Sequence, residues 1–154
     1  MDDASPNTLG EIGLQRFAPY LMNRIMGRYN ASMQAVLSES GLSTAKMRTL
    51  AVLSSKSGLL VNELSVYCVI EQSTMSRTLT AMLDEGLVRR EEDANDSRAR
   101  RIFITEKGRA LFDRLWPAMG AAAEGMFDGI DEGEREAFVS TLQKILGNVR
   151  QNPF

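Results

Sequence analysis

The chain has 154 residues, 44% hydrophobic and 25% charged, which suits one domain or two small lobes, and its net charge of −2 weighs mildly against nucleic-acid binding. It has no histidine and one cysteine, which excludes a zinc site of the usual Cys/His kind, a catalytic triad that uses histidine and an intrachain disulfide. No apolar run is long enough for a membrane span and the acidic N-terminus does not resemble a signal peptide, so we expect a cytoplasmic protein with no metal or cofactor.

The first part of the chain predicts two helices and a short helical segment before them. Met1–Thr8 is polar and predicts disorder, and Leu9–Arg16 predicts the short segment. Pro19 fits the first turn of a longer helix, whose apolar stripe continues to about Ser38. Ser43 is a good N-cap for the helix that follows.

The segment Glu71–Gly86 predicts an amphipathic helix that Gly86 ends, with a stripe formed by Met75, Leu79, Met82 and Leu83. Its opposite face opens with short hydrogen-bonding side chains and an arginine: Gln72, Ser73, Thr74, Ser76 and Arg77. Such a first turn suits a helix whose N-terminal end enters a DNA major groove, because these side chains reach base edges and phosphates. The apolar segment Glu63–Ile70 predicts a shorter helix and a tight turn before it, so the pair predicts a helix-turn-helix.

A β-hairpin is predicted directly after this motif. Leu87–Glu92 and Arg101–Thr105 have strand composition, and the polar segment Asp93–Arg100 between them has loop composition. A helix-turn-helix followed by a hairpin is a winged helix. Arginines gather at this wing, namely Arg98, Arg100 and Arg101. A local basic tip on an acidic body is compatible with DNA binding despite the net charge.

Two further helices are predicted after the wing. Thr105 is expected to cap a long helix that contains Pro117, and the small residues Gly120–Ala123 permit another helix to approach closely. Asp131 opens a pattern that resembles a capping box and starts the last helix. Gln151–Phe154 is expected to be a tail.

At this point the sequence resembles the MarR family of bacterial transcription regulators. The matching pieces are Glu63-Leu64, Ser73–Arg77, Gly86-Leu87-Val88, and the wing pattern Asp96-x-Arg98 followed by Ile104-Thr105-x-x-Gly108. The resemblance covers roughly Phe17 to Gly147. Two departures are Val69, at a position where relatives often have a turn glycine, and Leu60, where they often have a Ser or Thr cap.

The resemblance implies a mainly α fold with a small β-hairpin wing (α+β). A winged helix-turn-helix lobe (43–107) is expected beside a helical dimerisation lobe (8–40 and 108–151). The amphipathic terminal helices carry more apolar surface than one small lobe can cover, which also favours a homodimer. A dimer matches the two half-sites of a near-palindromic operator in double-stranded DNA. The expected function is that of a repressor released by a small aromatic or phenolic ligand.

The resemblance also implies roles for single residues. The polar residues of the recognition helix, Glu71–Gly86, are expected to contact the major groove. Arg98 is expected to reach the minor groove, Asp96 to orient the Arg98 guanidinium, and Arg100 to lie along the phosphates. The family's ligand pocket usually forms on the first two long helices, where this chain has Tyr29, Met33 and Met47.

Three alternatives remain open. A winged-helix module that binds only other proteins has no reason to place guanidiniums on both recognition helix and wing, as Arg77 and Arg98 do. A regulator that senses oxidation through Cys68 competes with the interpretation of Cys68 as a small buried hydrophobic residue. A small enzyme is disfavoured, because no arrangement of nucleophile and base is found.

Overall fold

The computed structural model describes residues 8–154, which form seven α-helices, one 3-10 turn and three short strands. The helices are α1 (Leu9–Ile12), α2 (Ala18–Ser38), α3 (Thr44–Ser55), α4 (Val61–Cys68), α5 (Gln72–Asp84), α6 (Glu106–Gly125) and α7 (Glu132–Val149). The strands are β1 (Leu59–Leu60), β2 (Val88–Glu92) and β3 (Arg100–Ile104). The predicted mainly α fold with a β-hairpin wing is confirmed. The disorder expected for Met1–Thr8 concerns residues 1–7, which lie outside the described part of the chain.

The helix starts follow the capping residues that the sequence predicts. The side chains of Ser43, Thr105 and Asp131 each accept a hydrogen bond from a backbone N–H in the first turn of α3, α6 and α7. Thr8 caps α1 in the same way. The predicted helix Leu9–Arg16 is wrong in its extent, because Gly13 adopts a φ of +80° and divides it into α1 and a 3-10 turn.

The wing strands belong to an antiparallel sheet with the order β1-β3-β2. β2 and β3 form the hairpin, with Val88 opposite Ile104 and Glu92 opposite Arg100. The two-residue strand β1 was not predicted; it pairs Leu59 with Ile102 and connects the start of α4 to the wing.

One continuous hydrophobic core joins α2, α3, α4, α5, α6 and the sheet. Leu50, Leu64 and Met75 are fully buried at its centre, and Phe112 and Leu115 extend it along α6. The core therefore crosses the boundary expected between the winged lobe (43–107) and the helical lobe, and that boundary stays a prediction. α7 contributes no buried residue.

Candidate nucleic-acid interface

The recognition helix α5 buries one face and presents the other to solvent. Met75, Leu79 and Met82 are buried, which orients the helix against α3 and α4. The polar residues predicted to read DNA lie on the remaining surface: Gln72, Ser73, Ser76 and Arg77 are exposed and Thr74 is half-buried. Glu71 precedes the helix without a side-chain cap, so its first amide groups receive no hydrogen bond from that side chain.

The wing loop is shaped by two aspartates. The Asp93 carboxylate accepts hydrogen bonds from the backbone N–H groups of Asn95 and Asp96, both at 3.2 Å. The Asp96 carboxylate accepts one from the backbone N–H of Arg98 at 3.0 Å. Asp96 was expected to orient the Arg98 guanidinium; in this structure it bonds the Arg98 backbone instead, and the Arg98 side chain is exposed.

The three wing arginines have different surroundings. Arg101 is tied to the base of the wing, since its Nε lies 2.5 Å from Asp93 Oδ1 and its Nη1 donates to the Gly58 carbonyl at 2.8 Å. The Arg101 hydrogen bond lowers the pKa of Asp93 below its ordinary value. Arg100 donates through Nη1 to the carbonyls of Ser97 and Ala99 while its side chain stays exposed.

Arg100 lines two shallow grooves that connect the wing with the helix-turn-helix. One, of about 220 Å³, lies between the wing residues Arg98 and Arg100 and the start of α4 at Asn62. The other, of about 170 Å³, brings Arg100 and Arg90 to Ser76 and Thr80 of α5. The recognition helix and the wing thus meet along two grooves, which both polar and apolar side chains line. Sequence reasoning missed Asn62, Thr80 and Arg90 because their only signal is this tertiary proximity.

The turn between α4 and α5 contains the departure noted at Val69. Val69 adopts the left-handed conformation, with φ +55° and ψ +52°, and is the non-glycine residue of positive φ in the described chain. Its N–H donates to the Val66 carbonyl and the Ile70 N–H donates to the Ser65 carbonyl, which is the Schellman pattern. A β-branched residue is strained in this conformation. At the other end of α4, where Leu60 replaces a polar cap, the Glu63 carboxylate accepts the Leu60 N–H at 3.2 Å.

The three residues expected to bind a ligand differ in their exposure to solvent. Tyr29 lines an open cleft of about 480 Å³ between α2 and α6, whose other lining residues are Leu21, Arg24, Ile25, Arg28, Ser32, Ala122 and Met126. Met33 and Met47 lie in the core, with exposed fractions of 2% and 6%. Sequence reasoning missed Arg24 and Arg28, whose i, i+4 spacing on α2 places both at this cleft.

Cys68 is buried at the end of α4, and burial raises the pKa of its thiol. Because the thiolate is the form that reacts with peroxides, this environment disfavours oxidation. Within residues 8–154 no three side chains are grouped as metal ligands would be, and none of the helices there has the length and hydrophobicity of a membrane span.

Comparisons with known proteins agree with this geometry. The sequence model of the MarR family matches residues 40–99, which include the helix-turn-helix, β2 and the wing loop and end just before β3. The crystal structure of a MarR-family transcriptional regulator from Silicibacter pomeroyi is 52% identical, with a TM-score of 0.91 over 96% of this chain and 100% of that one.

Two more distant proteins are also similar. The HTH-type transcriptional repressor IacR of Pseudomonas putida is 24% identical over 139 residues, which is 90% of this chain and 83% of IacR. Bordetella bronchiseptica BpsR, whose DNA binding is regulated by 6-hydroxynicotinic acid, shares the fold at 24% identity and a TM-score of 0.71, over 83% of this chain and 97% of that one. Given the 52% identity over nearly the whole chain, this protein belongs to the MarR family of transcriptional regulators.

Proposed function

We propose that the protein is a homodimeric repressor that binds a near-palindromic operator through α5 and the wing. The observation that carries the proposal is that Arg100 of the wing lines one groove with Ser76 of α5 and another with Asn62 of α4, so that the wing and the helix-turn-helix lie side by side. Base edges are read in the major groove by a helix, whereas arginines on a flanking loop reach the backbone or the minor groove. The similarity to the repressor IacR supports repression rather than activation of transcription.

Each predicted contact has its own place in this arrangement. Gln72 and Ser73 open α5 and meet base edges, with Ser76 and Arg77 one turn further along. Arg98, exposed at the wing, enters the minor groove, while Asp96 keeps the loop in shape. Arg100 lies along the phosphates. Phosphate contacts fix the register, and contacts to bases specify the sequence.

The test is a titration of variants against a selected operator duplex and a scrambled duplex at two salt concentrations. Gln72→Ala is expected to cost roughly 1–3 kcal/mol on the operator and to relax preference at one base pair. Arg100→Ala is expected to weaken both duplexes alike and to lower the salt slope by about 1 per half-site. Arg98→Ala is expected to weaken binding most at A·T-rich flanks, where a narrow minor groove attracts arginine.

Of two control variants, one keeps the positive charge at position 100 and the other removes a positive charge far from the proposed DNA-binding surface. Arg100→Lys keeps the charge and loses the paired hydrogen bonds to Ser97 and Ala99, so most of the salt slope is expected to remain. Arg114→Ala removes an exposed charge on α6, about 12 Å along that helix from its start, and is expected to bind like the parent. If Gln72→Ala and Arg98→Ala also bind like the parent, the assigned surface is wrong.

The homodimer is supported by apolar side chains that the described protomer leaves exposed on its terminal helices. On α7 these are Phe138, Val139, Ile145, Leu146 and Val149, and on the N-terminal segments they are Leu9, Leu14, Phe17, Ile25 and Met26. Sedimentation at micromolar concentration is expected to give about twice the chain mass of 17.1 kDa. Leu146→Asp is expected to shift the protein toward monomer, and a monomeric parent would exclude the dimer.

Ligand response is proposed for the cleft between α2 and α6. Arg24 and Arg28 line this cleft together with Ile25 and Met126, and the combination of basic and apolar residues fits an aromatic ring that carries an acidic group. The similarity to BpsR supports an aromatic acid as the class of ligand. Such a ligand lowers operator affinity only if it binds more tightly to a dimer whose recognition helices are wrongly spaced.

Calorimetric titration with a panel of aromatic acids tests this assignment. A compound that binds is expected to lose affinity in Arg28→Gln and to weaken operator binding by the parent. Arg114→Gln is the matched control, because it removes the exposed guanidinium of a residue on α6 that does not line the cleft. An equal loss of ligand affinity in both variants would mean that Arg28 does not contact the ligand.

A further inference from the structure

The segment after α7 folds back onto the helix-turn-helix. The ring of Phe154 packs against that of Tyr67 on α4, with centroids 5.5 Å apart and a tilt of 34°. The Lys56 ammonium lies 5.2 Å from the centroid of the same Tyr67 ring. Asn152 and Phe154 close one side of a groove of about 380 Å³, whose remaining lining comes from α4, the turn and the start of α5: Asn62, Ser65, Val66, Ile70 and Gln72.

α7 is attached to the rest of the protomer mainly at its ends. Near its start, Arg135 makes a two-bond ion pair with Glu124, at 2.6 and 2.7 Å, and Phe138 packs on Phe127. None of its 18 residues is buried. The helix is about 27 Å long and runs from the end of α6 toward the winged lobe. Pro153 restricts the backbone of the segment that presents Phe154, which limits the freedom of this second attachment.

The tail lies across a groove from the strained turn of the helix-turn-helix. Ser65, Val66 and Ile70 supply the carbonyls and the amide of the Schellman turn, and all three line the groove that the tail closes. The turn holds Val69 in a left-handed conformation, and such strain persists only where the surroundings hold the backbone in place. The turn also sets the direction in which Gln72 begins the recognition helix.

We propose that Asn152–Phe154 is a positioning element, which packs on Tyr67 beside the α4–α5 turn and thereby fixes the orientation of α5 relative to α4. Phe154 contacts no DNA in this arrangement; it acts through the turn on Gln72 and Ser73. The functional consequence rests on the proposed operator binding. The structural consequence is that the turn opens more readily when the Phe154 side chain is removed, and this consequence is independent of operator binding.

The experiment compares Phe154→Ala with Phe154→Trp, which keeps an aromatic ring at the contact. In the free protein, amide hydrogen exchange at Ile70 is measured; its N–H donates to Ser65 at 3.0 Å. From the strength of one aromatic pair, exchange is expected to be about threefold to tenfold faster in Phe154→Ala and near the parent in Phe154→Trp. Tyr67→Ala is expected to match Phe154→Ala, and the double variant to add little further.

Operator selectivity supplies the second readout. Phe154→Ala is expected to lose discrimination, by up to about tenfold, at the base pair that Gln72→Ala identifies, while scrambled-duplex affinity and the salt slope stay unchanged. Unchanged Ile70 exchange, or faster exchange with full selectivity, would overturn the positioning role. Tighter operator binding by Phe154→Ala would also overturn it, since the tail would then be inhibitory. If the parent binds no operator, the proposed function fails, and the exchange data still decide whether the tail holds the turn.

Discussion

Replacing Gly108 by alanine is expected to separate α6 from the base of the wing. Gly108 is buried in the first turn of α6, and a Cβ there would lie 2.1 Å from the Leu87 carbonyl oxygen and 3.1 Å from Ile104 Cγ1. Because an ordinary contact starts at about 3.4 Å, the backbones of α6 and Leu87 must move apart by roughly 1.3 Å. That movement loosens the hydrogen bonds by which Thr105 holds the hairpin: its N–H to Leu87 O at 3.2 Å and its hydroxyl to Gly86 O at 2.7 Å.

The magnitude follows from three terms. Overpacking costs about 1–3 kcal/mol, a weakened hydrogen bond costs about 1 kcal/mol, and the better helix propensity of alanine returns about 1 kcal/mol. Gly108→Ala is therefore expected to lower the free energy of unfolding by about 2 kcal/mol, or the midpoint temperature by about 4–8 °C for a chain of this size.

Denaturation at fixed protomer concentration measures this difference, because the stability of a dimer depends on concentration. Gly125→Ala is the matched control in the same helix: nothing lies within 4 Å of its added Cβ, so its stability is expected to equal or exceed that of the parent. If Gly108→Ala unfolds like Gly125→Ala, the close approach of α6 to Leu87 does not exist in solution.

Three further predictions concern the turn, the wing and the cysteine. Val69→Gly is expected to raise the free energy of unfolding by about 1 kcal/mol in a denaturant titration, because glycine accepts the left-handed conformation and the 81% exposed valine loses little packing. Arg101 lowers the pKa of Asp93, so the ionised Asp93 stabilises the folded state fully above the ordinary Asp pKa of 3.8, and this stabilisation is lost as the pH falls through the lowered pKa. When the free energy of unfolding is measured against pH in the acid range, Asp93→Asn is expected to lose stability less steeply than the parent, and equal slopes would contradict this. Cys68→Ala is expected to cost about 1 kcal/mol and to leave any peroxide response of operator binding unchanged, whereas loss of that response with folding intact would support the redox-sensing alternative.

The sequence by itself determined the local structure of this protein. A hydroxyl side chain that accepts the backbone N–H three residues further along caps a helix, so Ser43 and Thr105 predict the starts of α3 and α6 whatever packs around them. The apolar period of α5 determines which face is buried, and therefore leaves Gln72 and Arg77 exposed. These signals extend over one or two helical turns, which is why they are readable without a tertiary structure.

Only the tertiary structure decided which of several similar residues has which role. Arg98 and Arg101 are both arginines of the wing, yet Arg101 is held by Asp93 and by the Gly58 carbonyl, 43 residues away. Met33 and Tyr29 lie one turn apart on α2, and the packing of α2 against α6 and α3 places Met33 in the core and Tyr29 at the cleft. Such roles depend on partners distant in sequence, which periodicity does not encode.

The tail illustrates the same limit. Gln151–Phe154 carries no periodic signal, and its composition predicts only an unstructured end. α6 leads away from the wing, and α7 is of nearly equal length, 18 residues against 20. The chain therefore returns to the level of α4, where Phe154 meets Tyr67. Helix lengths were readable from the sequence, whereas the direction in which α7 returns depends on tertiary contacts, among them the Arg135–Glu124 ion pair and the Phe127–Phe138 contact at the α6–α7 junction.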